Sequence, residues 1–252
     1  MNFSIGIQLY SVRNELQKDF RGTLKELASI GFKGVEFAWN YGGMTPDELF
    51  EFLNETGLKC IGIYSPVPQI IDSGSEAYSY ASALKSPYFT SGITDKVNEK
   101  EWPAAIDDIK RGAEISASKG ILFLYHNHWQ EFGKIKGKCA LDIMMDETDP
   151  ELVKAELDTA WIKKGGEDPI TYIKKYAERL PMLHTKDIDA ENNVTEIGNG
   201  ILDFKGIVSA ASIAGVEWLV YEQDSSSIGA IESARISFER LNKNILTQGG
   251  KR

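Results

Sequence analysis

Histidine and cysteine are the scarce residues of this chain, three and two in 252 positions. The cysteines, Cys60 and Cys139, lie far apart and lack the CxxC-type spacing of a zinc or thiol–disulfide motif. They read as buried structural thiols in a reducing compartment. A basic surplus is also missing. Lys and Arg total 28 against 37 Asp and Glu, for a net charge of −9 and a pI near 5.0, which leaves no footprint for nucleic acid. No apolar run approaches the ~18 residues of a membrane span. The opening MNFSIGIQLYSV has neither the charged region nor the long apolar segment of a secretory signal. These absences predict a soluble, cytoplasmic protein that binds neither nucleic acid nor membrane. Neither GxGxxG nor GxxxxGK[ST] follows a strand-like run, so a nucleotide-binding open sheet lacks its main support.

What the chain does contain is alternation. Hydrophobic residues make up 42% and charged residues 26%, an ordinary globular balance. SIGIQLY precedes DFRGTLKELASIG, in which Phe20, Leu24 and Leu27 share one helical face and Gly31 ends the helix. KGVEFAW precedes TPDELFEFLNETG, with Thr45 as N-cap, Pro46 at the first helical position and Gly57 as the stop. LKCIGIY leads into a Ser-rich segment, and PYFTSGI into a helix over about 101–119. ILFLYHNH, LVKAELD, LPMLHTKD and VEWLVYEQD precede helical patterns over about 140–146, 168–178, DFKGIVSAASIAG and 230–241. Eight β–α units imply a parallel sheet. At this length they favour a closed (β/α)8 barrel, one domain over 1–252 with a frayed tail from about 245.

The catalytic end of such a barrel is the C-terminal end of its strands, where residues i and i+2 point the same way. Read so, the strand ends carry polar pairs: Gln8 and Tyr10, Glu36, His126 and His128, Glu156 and Asp158, His184 and Lys186, Glu222 and Asp224. Charges pointing into a packed barrel are costly unless paired or bound to a metal. Mixed imidazole and carboxylate groups suit a divalent cation. Taken singly, the members have plainer explanations. Glu36 or Glu156 alone is a hydrogen-bonded or solvated carboxylate, His184 a satisfied near-core histidine, and Lys186 with Asp187 a surface ion pair. The constellation carries the argument.

The segments YHNHWQEF, AELDTAW, GGEDPITYIKKYAERLPMLHTKD, EIGNGILDF and VEWLVYEQD resemble the sugar phosphate isomerase/epimerase family, built on the xylose isomerase-like barrel and related to the AP endonuclease 2 superfamily. GIQLYSVR and IGFKGVEF match its N-terminal half, so the resemblance runs along nearly the whole chain. It implies one divalent ion (Mn, Mg, Co or Zn) held by Asp158, His184, Glu222 and a fifth-strand group. That group is open between Glu131, slightly favoured, and His126, with His128 facing substrate. Relatives often end the third strand in histidine, where this chain reads GIYSP.

The implied activity is isomerisation or epimerisation of a keto- or aldo-sugar by proton abstraction through a metal-stabilised enediolate. Glu222 is the candidate base, Glu131 or an imidazole its partner, and Lys186 the group that stabilises negative charge or holds a hydroxyl. Tyr10, Glu36 and Trp161 are candidate sugar contacts, Trp161 being as well explained as rim packing. EIGNG reads as a tight loop rather than a phosphate site. The runner-up is a metal-dependent lyase, dehydratase or hydrolase of a 3-keto sugar or inosose-like substrate. A non-catalytic sugar-binding barrel is the third reading, and a homo-oligomer is compatible with all three. The endonuclease branch needs a histidine-rich multi-zinc site, which three histidines cannot furnish.

Overall fold

Eight parallel strands close into a barrel in a computed structural model that describes residues 3–93 and 95–249, the side chains of 245–249 excepted. The strands are β1 (Ser4–Gln8), β2 (Gly34–Ala38), β3 (Lys59–Tyr64), β4 (Tyr88–Ser91), β5 (Leu122–His126), β6 (Val153–Asp158), β7 (Met182–Thr185) and β8 (Trp218–Tyr221). Each pairs with its sequence neighbour, and β8 closes on β1 with Ser4 opposite Trp218. This is the single-domain (β/α)8 architecture expected from the alternation.

The helices start and stop where the chemistry dictates. Thr45 caps Pro46–Thr56 by a reciprocal box with Glu48, and Gly57 ends it in the left-handed region at φ 73°. Asp19 caps Phe20–Ile30 through the Gly22 N–H. Phe20, Leu24 and Leu27 of that helix are buried.

Two apolar layers result. Outward strand residues such as Phe123, Leu157, Leu183 and Leu219 join the large core beneath the helices. Ile61, Leu124, Met182 and Val220 form a separate small cluster. Three of these stand two residues before His126, His184 and Glu222, so they plug the barrel directly below those side chains. The bare backbones of β1 and β2 make room for the plug. A Cβ on Gly6 would lie 2.5 Å from Ile61 Cδ1, and one on Gly34 would lie 2.4 Å from Ile61 Cγ2.

Several local expectations need correction. The Ser-rich segment holds two short helices, Val67–Ile71 and Glu76–Ala83. They are pinned by the hydroxyls of Tyr78 and Tyr80 on the Ile70 and Met44 carbonyls. The helix expected over 168–178 ends at Lys175, and a 3-10 turn, Ala177–Arg179, follows. That turn aims the Arg179 guanidinium at the carbonyls of Val153 and Met145. The last helix is Ala230–Gly249, not 230–241, because no proline or glycine interrupts it earlier. Of the tail expected to fray, 245–249 are helical in backbone, and 250–252 lie outside the described residues. Cys60 is buried but Cys139 only partly so, both as free thiols. Among the described residues no helix is long and apolar enough to cross a membrane.

Candidate active site

The strand ends open into a cavity of 270 Å³. At its floor, His126, Asp158, His184 and Glu222 are all buried, with one ligand atom from each within 4.8 Å of the others. They come from β5, β6, β7 and the residue following β8. His184 Nδ1 lies 2.9 Å from Glu222 Oε2. Asp158 has two jobs. Its Oδ1 accepts from the Trp161 N–H and so caps the helix Thr159–Lys164. Among the described residues its Oδ2 is buried without a hydrogen bond, with Lys186 Nζ 3.4 Å away. A stranded carboxylate oxygen beside two imidazoles and a second carboxylate fits a divalent cation with mixed N/O ligands.

Below the cage, Glu36 and Glu156 are wholly buried. Glu36 Oε2 lies 2.7 Å from His184 Nε2. Glu36 was expected to touch sugar, but it does not line the cavity. Its carboxylate sits behind the imidazole. Glu156 was singled out in the sequence only as a strand-end carboxylate. It lies 3.3 Å from His184 Nε2 and 3.4 Å from His126 Nδ1.

Lys186 forms one wall. Its buried ammonium stands 3.0 Å from Glu222 and 3.0 Å from Asp224, with the Trp161 ring centroid 4.5 Å away. His128 faces the cavity, 6.1 Å from the Trp161 ring and nearly parallel to it. Tyr10 lines the opposite side, packed edge-on against Trp39, which packs in turn against Tyr64. Tyr64 stands at the third-strand position where the resemblance led one to look for histidine. Gln8 and Asp224 also line the cavity. Period-two reading had placed both at strand ends without assigning them a role. Trp39 and Tyr64 carried no sequence signal beyond following β2 and ending β3.

Glu131 stands apart from the four-residue cage. Its carboxylate is buried and accepts from the Tyr125 hydroxyl at 3.0 Å and from the His128 N–H at 3.2 Å. It thereby ties down the turn that carries His128, whose Nδ1 is 4.0 Å away. Lys186 and Asp187 are not a surface pair. Both are buried, and Asp187 turns away from the cavity to accept from the backbone N–H groups of Gly198 and Gly200. EIGNG is therefore a loop wrapped on Asp187, as its tight-turn reading expects.

Burial and charge set the protonation states. Burial, then the nearby His184, lowers His126 to about 4. Burial lowers His128 to about 4 as well. Both are neutral imidazoles near pH 7, the form that ligates or accepts a proton. Burial opposes charge on His184, yet the Glu156 and Glu36 carboxylates outweigh it and hold the imidazolium well above the ordinary range. Burial would raise Glu222, but Lys186 and His184 hold it far below the usual carboxylate range. Burial raises Asp158 to about 6 despite Lys186, and Glu131 to about 7.

Fold and site together define a (β/α)8 barrel whose mouth presents buried histidine and carboxylate groups able to hold a divalent ion. The profile of the xylose isomerase-like TIM barrel family matches residues 24–244, and the chain belongs to that family. An inosose dehydratase of Geobacillus thermodenitrificans is 26% identical over 232 residues, covering 84% of this chain and 76% of its own. A sugar phosphate isomerase/epimerase from Parabacteroides distasonis superposes with a TM-score of 0.84 at 22% identity, over 96% of this chain and 98% of that one. An L-ribulose 3-epimerase superposes at 0.76 with 16% identity, over 99% and 97% of the two chains. The likenesses to solved structures show the fold. Dehydratases stand among the sequence relatives, and an epimerase among the neighbours in fold.

Proposed function

We propose that the protein is a divalent-metal-dependent lyase that removes a proton beside the carbonyl of a cyclic keto sugar or inosose-like polyol and expels a β-hydroxyl as water. The observation that carries this reading is the asymmetry of the cavity. Glu222 faces it, whereas Glu131, the carboxylate expected opposite, is turned onto Tyr125 and the His128 amide. Inversion by two opposed carboxylates lacks its second member. The dehydratases among the curated relatives agree with this reading.

His126, Asp158, His184 and Glu222 would hold the ion, with His126 as the fifth-strand ligand. A divalent cation there supplies Lewis acidity that polarises a carbonyl and its neighbouring hydroxyl. Glu222 accepts the carbon-bound proton. Lys186, held protonated by Asp158, Glu222 and Asp224, stabilises the negative charge that develops on substrate oxygen. The proton that Glu222 takes from carbon leaves with the departing hydroxyl as water, and the neutral His128, with Glu131 behind its Nδ1, is placed to hold that hydroxyl by a hydrogen bond. Trp161 and Tyr10 offer apolar faces to the ring.

Epimerisation is the second reading, favoured by the fold neighbours and open to His128 acting as the opposing base. The two separate cleanly in deuterated water with an inosose and a panel of ketoses as substrates. Loss of one water by mass, with appearance of a conjugated enone, supports the lyase. Deuterium at the α-carbon with inverted configuration and no loss of mass supports the epimerase. No exchange with any polyhydroxy ketone would sink both.

A further inference from the structure

The chain has only three histidines, and two of them share a single buried carboxylate. One oxygen of Glu156, Oε2, faces His126 Nδ1 at 3.4 Å, and the other, Oε1, faces His184 Nε2 at 3.3 Å. The two rings have centroids 4.5 Å apart. Among the described residues neither Glu156 oxygen has a hydrogen-bond partner, nor has His126 Nδ1, and all three atoms are shielded from solvent. His184 Nε2 has Glu36 as a second partner at 2.7 Å. A strand register explains the arrangement: Glu156 sits opposite His126 across β5 and β6, and two residues below Asp158.

We propose that Glu156 is a positioning residue that steadies both cage imidazoles at once, its two oxygens facing His126 Nδ1 and His184 Nε2 so that His126 Nε2 and, once a cation displaces its proton, His184 Nδ1 are left to ligate. The inference rests on the cage assigned above, not on the reaction. Its physical basis is that a histidine ligand keeps its tautomer and ring angle only when its other nitrogen is held. An apolar residue would suit the plug just as well sterically, since Leu124, Met182 and Val220 lie immediately beneath. Two carboxylates buried there instead carry a desolvation cost, which their contacts with the imidazoles offset. Glu36 acts on His184 alone. Glu156 couples the two rings, so disturbing it reaches both ligands.

Substituting glutamine for Glu156 keeps the shape but replaces one acceptor by a donor. The amide oxygen still accepts from one ring, while the NH2 forces the other ring to present its lone pair downward and its N–H to the cation. The test is ring-nitrogen NMR of the apoprotein near neutral pH, with His128→Asn to assign the three signals. Zn²⁺ and Mn²⁺ isotherms accompany it. Expected for the wild type is His126 protonated at Nδ1. In Glu156→Gln one ring changes tautomer and cation affinity falls 10- to 100-fold. In Glu36→Gln the affinity falls with the His126 signal unmoved. Wild-type His126 protonated at Nε2 would overturn the proposal without any variant, as would Glu156→Gln with unchanged ring signals and wild-type affinity. A wild type that binds no cation removes the cage itself, a result separate from the tautomer pattern.

Discussion

Replacing Glu131 with glutamine should make stability less dependent on pH. The carboxyl is buried, and burial raises it from an ordinary 4.5 to about 7. Its two contacts, the Tyr125 hydroxyl and the His128 N–H, are donors that an amide oxygen accepts equally well. A carboxyl raised in the folded state binds its proton more tightly there than in the unfolded chain. Its contribution is therefore fully present below pH 4.5 and is lost as pH rises through about 7. Between pH 5 and pH 8 the loss amounts to about 2.5 kcal/mol, taking about 1.4 kcal/mol per unit. The assay is urea unfolding of wild type and Glu131→Gln at several pH values across that window, with equal m-values as the check on two-state behaviour. The variant should gain about 2.5 kcal/mol relative to wild type on going from pH 5 to pH 8. A difference that stays flat with pH would refute the reasoning and mean that Glu131 titrates like an exposed carboxyl.

Other outcomes follow from the same geometry. Lys186→Met leaves Asp158, Glu222 and Asp224 without their shared cation. It should cost about 3–5 kcal/mol, lowering Tm by roughly 6–20 °C, with part of the loss restored by Mn²⁺; an unchanged Tm would contradict the pairing. Trp161→Ala removes the ring beside His128 and Lys186. It should weaken sugar binding by about tenfold in calorimetry, the size of one aromatic contact, and undiminished binding would return Trp161 to rim packing. Thr45→Ala breaks a capping box far from the cavity. It should cost about 1 kcal/mol in chemical unfolding and leave cation binding untouched.

The barrel was legible because its signals are local and repeat. Each β–α unit carries its own period and its own stop, as at Thr45, Pro46 and Gly57, and eight of them leave few ways to close a sheet. The grouping of strand-end side chains was legible for a related reason: a strand fixes which side chains share a face, so His184 and Glu222 could be placed at one mouth. What the sequence could not show was depth. Glu36, Glu156 and Asp158 all alternate correctly, but register and strand tilt put the first two beneath His184 and the third beside the cavity. Nor could it show the fold of the turn 127–132. There Glu131 is spent on Tyr125 and on the His128 amide, leaving His126 as the fifth-strand group closest to Asp158, His184 and Glu222. Trp39 and Tyr64 escaped notice because an aromatic after a strand is usually core. Here two neighbouring strands bring both to the cavity wall.

Cation content bears most directly on the central claim, that His126, Asp158, His184 and Glu222 hold the ion on which the chemistry depends. Elemental analysis after equilibration with limiting Mn²⁺, on wild type, Asp158→Ala, His126→Ala and Glu131→Gln, compares the rival fifth-strand residues in one experiment. The account predicts about one ion per chain, the single-ion stoichiometry of such a site, in the wild type and Glu131→Gln, and loss in the other two. Retention in His126→Ala with loss in Glu131→Gln would contradict the cage, and no ion in the wild type would contradict the mechanism built on it.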